Sequence, residues 1–265
     1  MSLTGKSPSE TYKDLTYVDN NNSGVDSTTR SVKTGNGSET SLSLSDRAVK
    51  IKSSTDNTTA LDVQNSSGTS KLLVDTTNSQ VKALGTHVNT QYAYFGISEN
   101  RNTGNAAGYH YPLIFGGFAE HGTVNLFDQE PNFGNGADPA TTFTTADATD
   151  QRADNLIKHL MLVPDNMVID AVHSLEGASG ATGDTTRMHL MSYTFTSGST
   201  SCLTGGTLIA HNSDVTNAGA EQVYQSEWTI DSSSVSAGKI LMAFFESDSV
   251  NSDYTYRTII KYHLI

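Results

Sequence analysis

Residues 38–84 read SETSLSLSDRAVKIKSSTDNTTALDVQNSSGTSKLLVDTTNSQVKAL. Apolar side chains recur in alternating pairs: Leu42 and Leu44, Val49 and Ile51, Leu61 and Val63, Leu72 and Val74, then Val81 and Leu84. Small polar clusters (TDNTT, NSSGTS, DTTNSQ) separate the pairs. Period-2 alternation bounded by such clusters predicts short strands with one apolar face. Each strand offers only about two apolar side chains, and no helical pattern lies nearby to cover them. Ordering a residue costs roughly 1–2 kcal/mol, and one copy of this stretch buries too little apolar surface to offset that. More copies of the same stretch would. Three ribbons about a common axis turn each stripe into a closed core. The sequence therefore predicts an intertwined trimeric β stem over 38–84, with Leu44, Ile51, Leu61, Val63, Leu72 and Val74 facing the axis or a neighbouring chain. ALDVQNSSG and KLLVDTTNS form a weak internal repeat, too short for a solenoid.

Upstream, residues 1–37 carry few apolar side chains and the turn-rich run DNNNSG (Asp19 to Gly24). A short helix or strand is expected around Glu10 to Val18. Such a segment has little reason to order alone. It is expected to be an attachment peptide that gains order on a partner surface, anchored by Tyr12, Leu15, Tyr17 and Val18.

Downstream of Gly85 the aromatics become denser, with Tyr92, Tyr94, Phe95, Tyr109, Tyr111, Phe115 and Phe118 close together. Residues 85–265 are expected to form a head domain with its own core. The expected strands are Gln91–Ile97, Tyr111–Phe118, Leu156–Leu162, Met167–Glu176, Met188–Phe195, Leu208–His211, Gln222–Ile230, Ile240–Glu246 and Tyr254–His263. In the last, Tyr254, Tyr256, Thr258, Ile260, Tyr262 and Leu264 share one face. Some nine strands with almost no helical pattern predict an all-β protein whose head is a β-sandwich of jelly-roll type. The segment from His121 to Asp154 reads as a long excursion between strands, and ADATDQRADNL as one helical turn at most.

Composition sets limits on function. The chain has 265 residues, 28 acidic against 16 basic, and a formal net charge of −12. That argues against nucleic acid, which requires a basic surface, and against adsorption to an anionic membrane. No apolar run is long enough for a transmembrane helix, and residues 1–14 contain no apolar stretch of the secretory kind. Cys202 is the only cysteine, so no intrachain disulfide forms, and it reads as an inert packed thiol. None of the eight histidines (His87, His110, His121, His159, His173, His189, His211, His263) has metalloprotease spacing. His110 in YHYP and His189 in MHLM read as hydrogen-bonded strand residues. Asp138, Asp147, Asp150 and Asp154 form an acidic loop without the spacing of an EF-hand. GASGATGDTTR lacks the Lys-Ser/Thr ending of a phosphate-binding loop. No catalytic residue, cofactor or metal is expected.

Two segments, 3–52 and 60–81, resemble virion structural proteins of tailed bacteriophages, particularly marine ones. The first holds LTGKSPSETYKDLTYVDNNNSGVDSTTR followed by SLSLS and AVKI. The second, ALDVQNSSGTSKLLVDTTNSQV, is similar to the fibre pattern of apolar strand, polar turn, Leu-x-Val-Asp and Thr/Asn/Ser. LVPDNMVID, TGDTTRMHLMSYTF and SAGKILMAFFE also look like phage-encoded domains. The resemblance implies a virion appendage, of head or tail. The expectation is a non-enzymatic homotrimeric fibre or spike, made in the host cytoplasm and assembled on the particle. Its amino terminus would dock onto a capsid or tail protein, and its head would bind a host-surface glycan or protein. Tyr109, Tyr111 and Phe133 are the aromatics considered for glycan contact. The alternatives are a capsid decoration or cement protein with no receptor and, less favoured, a small glycan-degrading enzyme. Nucleic acid and membrane insertion are not expected.

Overall fold

The computed structural model describes residues 15–21, 23–98, 108–116, 133–143, 156–179, 182–248 and 253–265. Among these the chain is all-β, with four antiparallel sheets and a single 3-10 turn at Ile157–His159. It divides into two compact units, the boundary falling between Val88 and Asn89.

The amino-terminal unit contains two meanders. The first sheet runs β1 (Thr16–Val18), β2 (Arg30–Thr34), β3 (Glu39–Leu44) and β4 (Val49–Ile51). The second runs β5 (Leu61–Gln64), β6 (Ser70–Asp75), β7 (Gln80–Ala83) and β8 (Thr86–His87). Turn chemistry sets these registers. The Asn65 side chain accepts hydrogen bonds from the Ser67 and Thr69 backbone at 3.2 and 2.8 Å, and Gly68 takes the left-handed φ of +79° that closes the β5–β6 turn. Asp75 caps the next turn by accepting from Asn78 N at 2.9 Å and Asn78 Nδ2 at 2.7 Å. These hydrogen bonds hold its carboxyl below the usual carboxylate range.

The carboxyl-terminal unit has two larger sheets. The third sheet orders β11 (Ile114–Phe115), β9 (Thr90–Ser98), β21 (Asp253–Leu264), β13 (Met167–Ser179) and β17 (Glu221–Glu227), with β19 (Ser234–Val235) also on β13. The fourth orders β10 (Tyr111–Pro112), β20 (Lys239–Ser247), β14 (Thr185–Phe195), β15 (Leu203–His211) and β18 (Thr229–Ile230). To it are added β12 (Met161–Leu162) on β20 and β16 (Val215–Thr216) on β14. Setting aside β11, β12, β16, β18 and β19 and keeping the two-residue β10 leaves a nested pattern in chain order. The first strand pairs with the last (β9·β21), β10 with β20, β13 with β17 and β14 with β15.

The third and fourth sheets share one apolar core. From the third come Phe95, Ile97, Val172, Tyr256 and Ile260; from the fourth come Met188, Leu190, Leu241, Ala243 and Phe245. Strand β21 alternates as its sequence requires, with Tyr254, Tyr256, Thr258, Ile260 and Tyr262 all buried. Strands β14 and β20 do not alternate. Their other faces, with Met191, Tyr193, Ile240, Met242 and Phe244, carry a second core beneath Phe133, Phe143 and Leu156. Burial on both faces explains the unbroken apolar run ILMAFF (Ile240 to Phe245) in β20. Gly206 lets this cover settle: a Cβ there would stand 2.5 Å from the Tyr193 ring and 2.8 Å from Thr141 Cα.

Several expected strands have different bounds. The strand expected over Tyr111–Phe118 is two short pieces broken at Leu113. Within Leu156–Leu162 the residues Ile157–His159 form the 3-10 turn, and only Met161–Leu162 is strand. Leu208–His211 begins earlier, at Leu203, because its Gly-Gly pair continues the β14 ladder through register shifts. Residues 146–155, where one helical turn was expected, lie outside the described residues.

Candidate functional site: the open apolar faces of the amino-terminal unit

Cross-strand register gathers the apolar residues of the second sheet, Leu73 apart, on one side. Leu61 lies opposite Val74, and Val74 opposite Val81; Val63 lies opposite Leu72, and Leu72 opposite Ala83. The intervening positions Asp62, Leu73 and Lys82 form the other face. In the first sheet Leu42 meets Ile51 and Leu44 meets Val49. Antiparallel partners have Cβ atoms about 4.5–5.5 Å apart, so each set is a continuous patch.

These patches are not covered within one chain. Among the described residues of this unit, Val32 is the one buried apolar side chain. Val49 is 68% exposed, Val63 47%, Ile51 45%, and Leu72 and Val81 nearly 40%. Leu44, Leu61 and Val74 are half-buried. Between the two sheets' residues lies an apolar cleft of about 390 Å³, lined chiefly by Ile51, Ala60, Leu61 and Val74 with Lys52 and Asp56 at its rim. The Asn57–Thr76 backbone and side-chain hydrogen bonds, at 3.0 and 2.9 Å, hold this corner. Of the expected docking residues, Leu15 and Tyr17 are exposed and Val18 is half-buried opposite Val32. Tyr12 lies outside the described residues. Residues 16–18 and 30–34 are strands of the same sheet as 39–44, so the first sheet spans the expected attachment segment and the expected stem.

The carboxyl-terminal unit holds the chemistry-bearing residues. Tyr111 and Phe133, considered above for glycan contact, are buried in its two cores, and Tyr109 packs half-buried against the first. Tyr111 and Phe133 cannot present a face to a ligand. Cys202 is a buried thiol in the second core, its ionisation disfavoured by burial. Asp138 is described; Asp147, Asp150, Asp154 and His121 lie outside the described residues.

His189 lies in β14 as expected, and His110 is hydrogen-bonded as expected, though just before β10 rather than in a strand. Both are buried, with ring centroids 4.9 Å apart in an edge-to-face arrangement. His110 Nε2 is 2.9 Å from the Gly136 carbonyl, which can only accept, so Nε2 carries the proton. Neither Nδ1 has a hydrogen-bond partner. Glu246 lies 3.8 Å from His110 and Asp138 3.7 Å from His189. Burial keeps both rings neutral and pulls the His189 pKa down to about 3, with His110 and Arg187 adding repulsion. His159, buried against the Leu113 carbonyl at 3.0 Å, is lowered to about 4 for the same reason. The signal that could have found the pair is its flanks: tyrosines around His110 and methionine or leucine around His189.

A second buried group is Glu176 on β13. Its carboxylate accepts from Ser174, Thr186 and Asn212 at 2.9–3.1 Å, and Trp228 Nε1 donates to Ser174 Oγ. Burial raises its pKa despite these bonds. All of its donors are neutral, which marks a structural polar network. Taken by itself, the carboxyl-terminal unit brings no three His, Cys, Asp or Glu side chains together as a metal site among its described residues.

No protein-family model matches the chain, and no curated protein matches it.

Proposed function

We propose that this chain is a homotrimeric structural protein of a tailed-bacteriophage particle, a fibre or spike without enzymatic activity. The amino-terminal unit is its assembling and docking part. The carboxyl-terminal unit is the part offered to the outside, for a host-surface receptor. The observation that carries the reading is the open ladder Leu61–Val74–Val81 and Val63–Leu72–Ala83, on a unit whose described residues include one buried apolar side chain. Apolar patches this continuous on soluble proteins mark interfaces. An interface between identical chains needs no other partner to be present when the protein folds. The fibre-like residues in both sheets support the same assignment.

The carboxyl-terminal unit is a jelly-roll sandwich in this reading. Nested pairing of first with last, second with second-last and so inward is a long hairpin folded over on itself, and two facing sheets over one core result. Viral capsid and lectin domains both use that architecture, which suits a virion part but does not choose a ligand.

Light scattering on the purified full chain tests the assembly, with three copies per particle the expected result. A stable monomer at micromolar concentration overturns it. Incorporation is tested by complementing a phage that lacks the protein with the variant L15A/Y17A, changed at two exposed positions of the expected docking segment, since deleting residues 1–37 would also remove β1 and β2 from the first sheet. The variant trimer should fold but be missing from purified particles. Three weak contacts made together give firm attachment by effective concentration.

A further inference from the structure

Residues 133–143 lie across the outer faces of β14 and β20, and two buried histidines stand beneath them. Aromatic rings hold the segment down. Phe133 and Phe143 are 4.7 Å apart, Phe133 is 5.4 Å from Phe244, and Phe143 is 5.3 Å from Tyr193. Backbone bonds add to this. Ala140 N donates to the Phe133 carbonyl at 2.7 Å, Phe143 N to the Leu203 carbonyl at 2.9 Å, and Gly206 N to the Thr141 carbonyl at 2.8 Å. Between Phe133 and Ala140 the segment meets the histidines. His110 N donates to the Gly134 carbonyl at 3.0 Å, and His110 Nε2 to the Gly136 carbonyl at 2.9 Å. Asp138 stands beside His189.

This contact accommodates only neutral rings. His110 and His189 are 0% and 1% exposed, with ring centroids 4.9 Å apart. A second proton on either ring adds an Nδ1–H, and neither Nδ1 has a partner. It also adds a buried charge, which is costly unless paired and hydrogen-bonded. The groups around the rings do not pair it. Facing His110 are Glu246 from β20, Asp138 from the segment, and Arg187 and His189 from β14. Facing His189 are His110, Asp138, Arg187 and, from β15, His211, with Asp214 beyond as the partner of Arg187. Glu246 and Asp138 approach Nε2, not Nδ1, and at 3.8 and 3.7 Å both are outside hydrogen-bond reach. Arg187 repels a charge on either ring. A charged ring reaches water only when the segment above it moves.

We infer that His110 and His189 form an acid-sensitive latch: protonation of either ring lifts residues 133–143 off β14 and β20, while the core between the third and fourth sheets stays folded. Lifting opens Tyr193, Met242 and Phe244, now buried, to water. Burial holds both rings below the ordinary histidine pKa, His189 at about 3. The latch is therefore closed above about pH 6.5, and each pH unit below that favours the lifted state roughly tenfold per titrating ring, until the closed-state pKa is reached. His159 is also buried and neutral, but it belongs to the 3-10 turn and bonds the Leu113 carbonyl, so its protonation acts elsewhere. The latch lies within the carboxyl-terminal unit and does not rest on the assembly proposed above.

The test is hydrogen exchange of the full chain from pH 7 to about 4.5, read by mass spectrometry as protection factors corrected for the intrinsic effect of pH. Peptides spanning 133–143 should lose protection roughly tenfold or more per pH unit below about 6.5, while β9 and β21 keep theirs. H110Q combined with H189Q keeps an amide donor near each Nε2 position and cannot titrate. It should hold the protection of 133–143 flat over this range. H159Q should leave the loss intact. Flat protection in the unaltered chain, a loss shared equally by β9 and β21, a loss that persists in H110Q/H189Q, or one abolished by H159Q each overturns the proposal. Near-ultraviolet circular dichroism at pH 7 checks that the variants fold. Were the double variant unfolded, the confinement of the loss to 133–143 in the unaltered chain and its survival in H159Q decide the matter.

Discussion

The two units use similar strands and differ in what covers them. In the amino-terminal unit the sheets show period-2 alternation and correct turns, yet the apolar side of each stays exposed in one chain. In the carboxyl-terminal unit strands of the same kind face each other, and β14 and β20 are covered on both sides. Local sequence rules are satisfied equally in both. Burial is the source of stability, and alternation only prepares a surface for it. The first unit has a prepared surface that the described residues of one chain leave open; the second has its cover within the chain.

Separating the units tests this comparison most severely. Residues 89–265 alone should be soluble and unfold cooperatively. Residues 1–88 alone should be structured only at concentrations that support assembly, with a melting temperature that rises with concentration. Circular dichroism melts over a hundredfold concentration range would show it. A molten 89–265 fragment would mean that the two units are one cooperative body.

Charge insertion is the next largest effect. Leu190→Asp places a carboxylate in the core shared by the third and fourth sheets, and should unfold that unit at every concentration. Val63→Asp should split the oligomer, at a cost of about 3 kcal/mol or more per chain if Val63 is buried between copies. Were Val63 to remain in water, the change would be within about 0.5 kcal/mol. Light scattering and denaturant melts distinguish the two.

Acid should act on the second unit selectively. His110, His159 and His189 have folded pKa values below the usual 6.5, near 4 for His159 and near 3 for His189. The unfolded chain therefore binds more protons in that window. Stability is complete above about pH 6.5 and falls as pH drops toward 4 and then 3, by on the order of 3 kcal/mol for His159 alone. Glu176 has the opposite sign: its raised pKa disfavours the folded state at neutral pH, and protonation relieves this as pH falls. Urea melts from pH 7 to 4 should show a net loss, reduced in His159→Gln. A flat profile would remove the neutral buried histidines from the account.

The smallest effect concerns the outer core. Gly206→Ala should destabilise the second unit by roughly 1–3 kcal/mol, because the Tyr193 ring and the backbone at Thr141 must both move. The first unit's melt should not change.

The sequence by itself determined the all-β class, the turns and the alternation of strands such as β21. Those are local properties: they depend on residue type, spacing of two and small polar breaks. It also marked Leu61, Val63, Leu72 and Val74 as apolar positions of paired strands, since register follows from turn length. Only the tertiary structure decided which strands pair across the chain, since β9 meets β21 some 170 positions away and nothing in either strand names its partner. It also decided that β14 and β20 are covered twice, which buries Phe133, that Tyr111 lies in the core shared by the two sheets, and that Tyr92 and Tyr94 on β9 stay in water. An aromatic's exposure depends on what folds over it from elsewhere in the chain. The same reason hid the contact of His110 with His189, 79 positions apart in sequence and 4.9 Å apart in the fold.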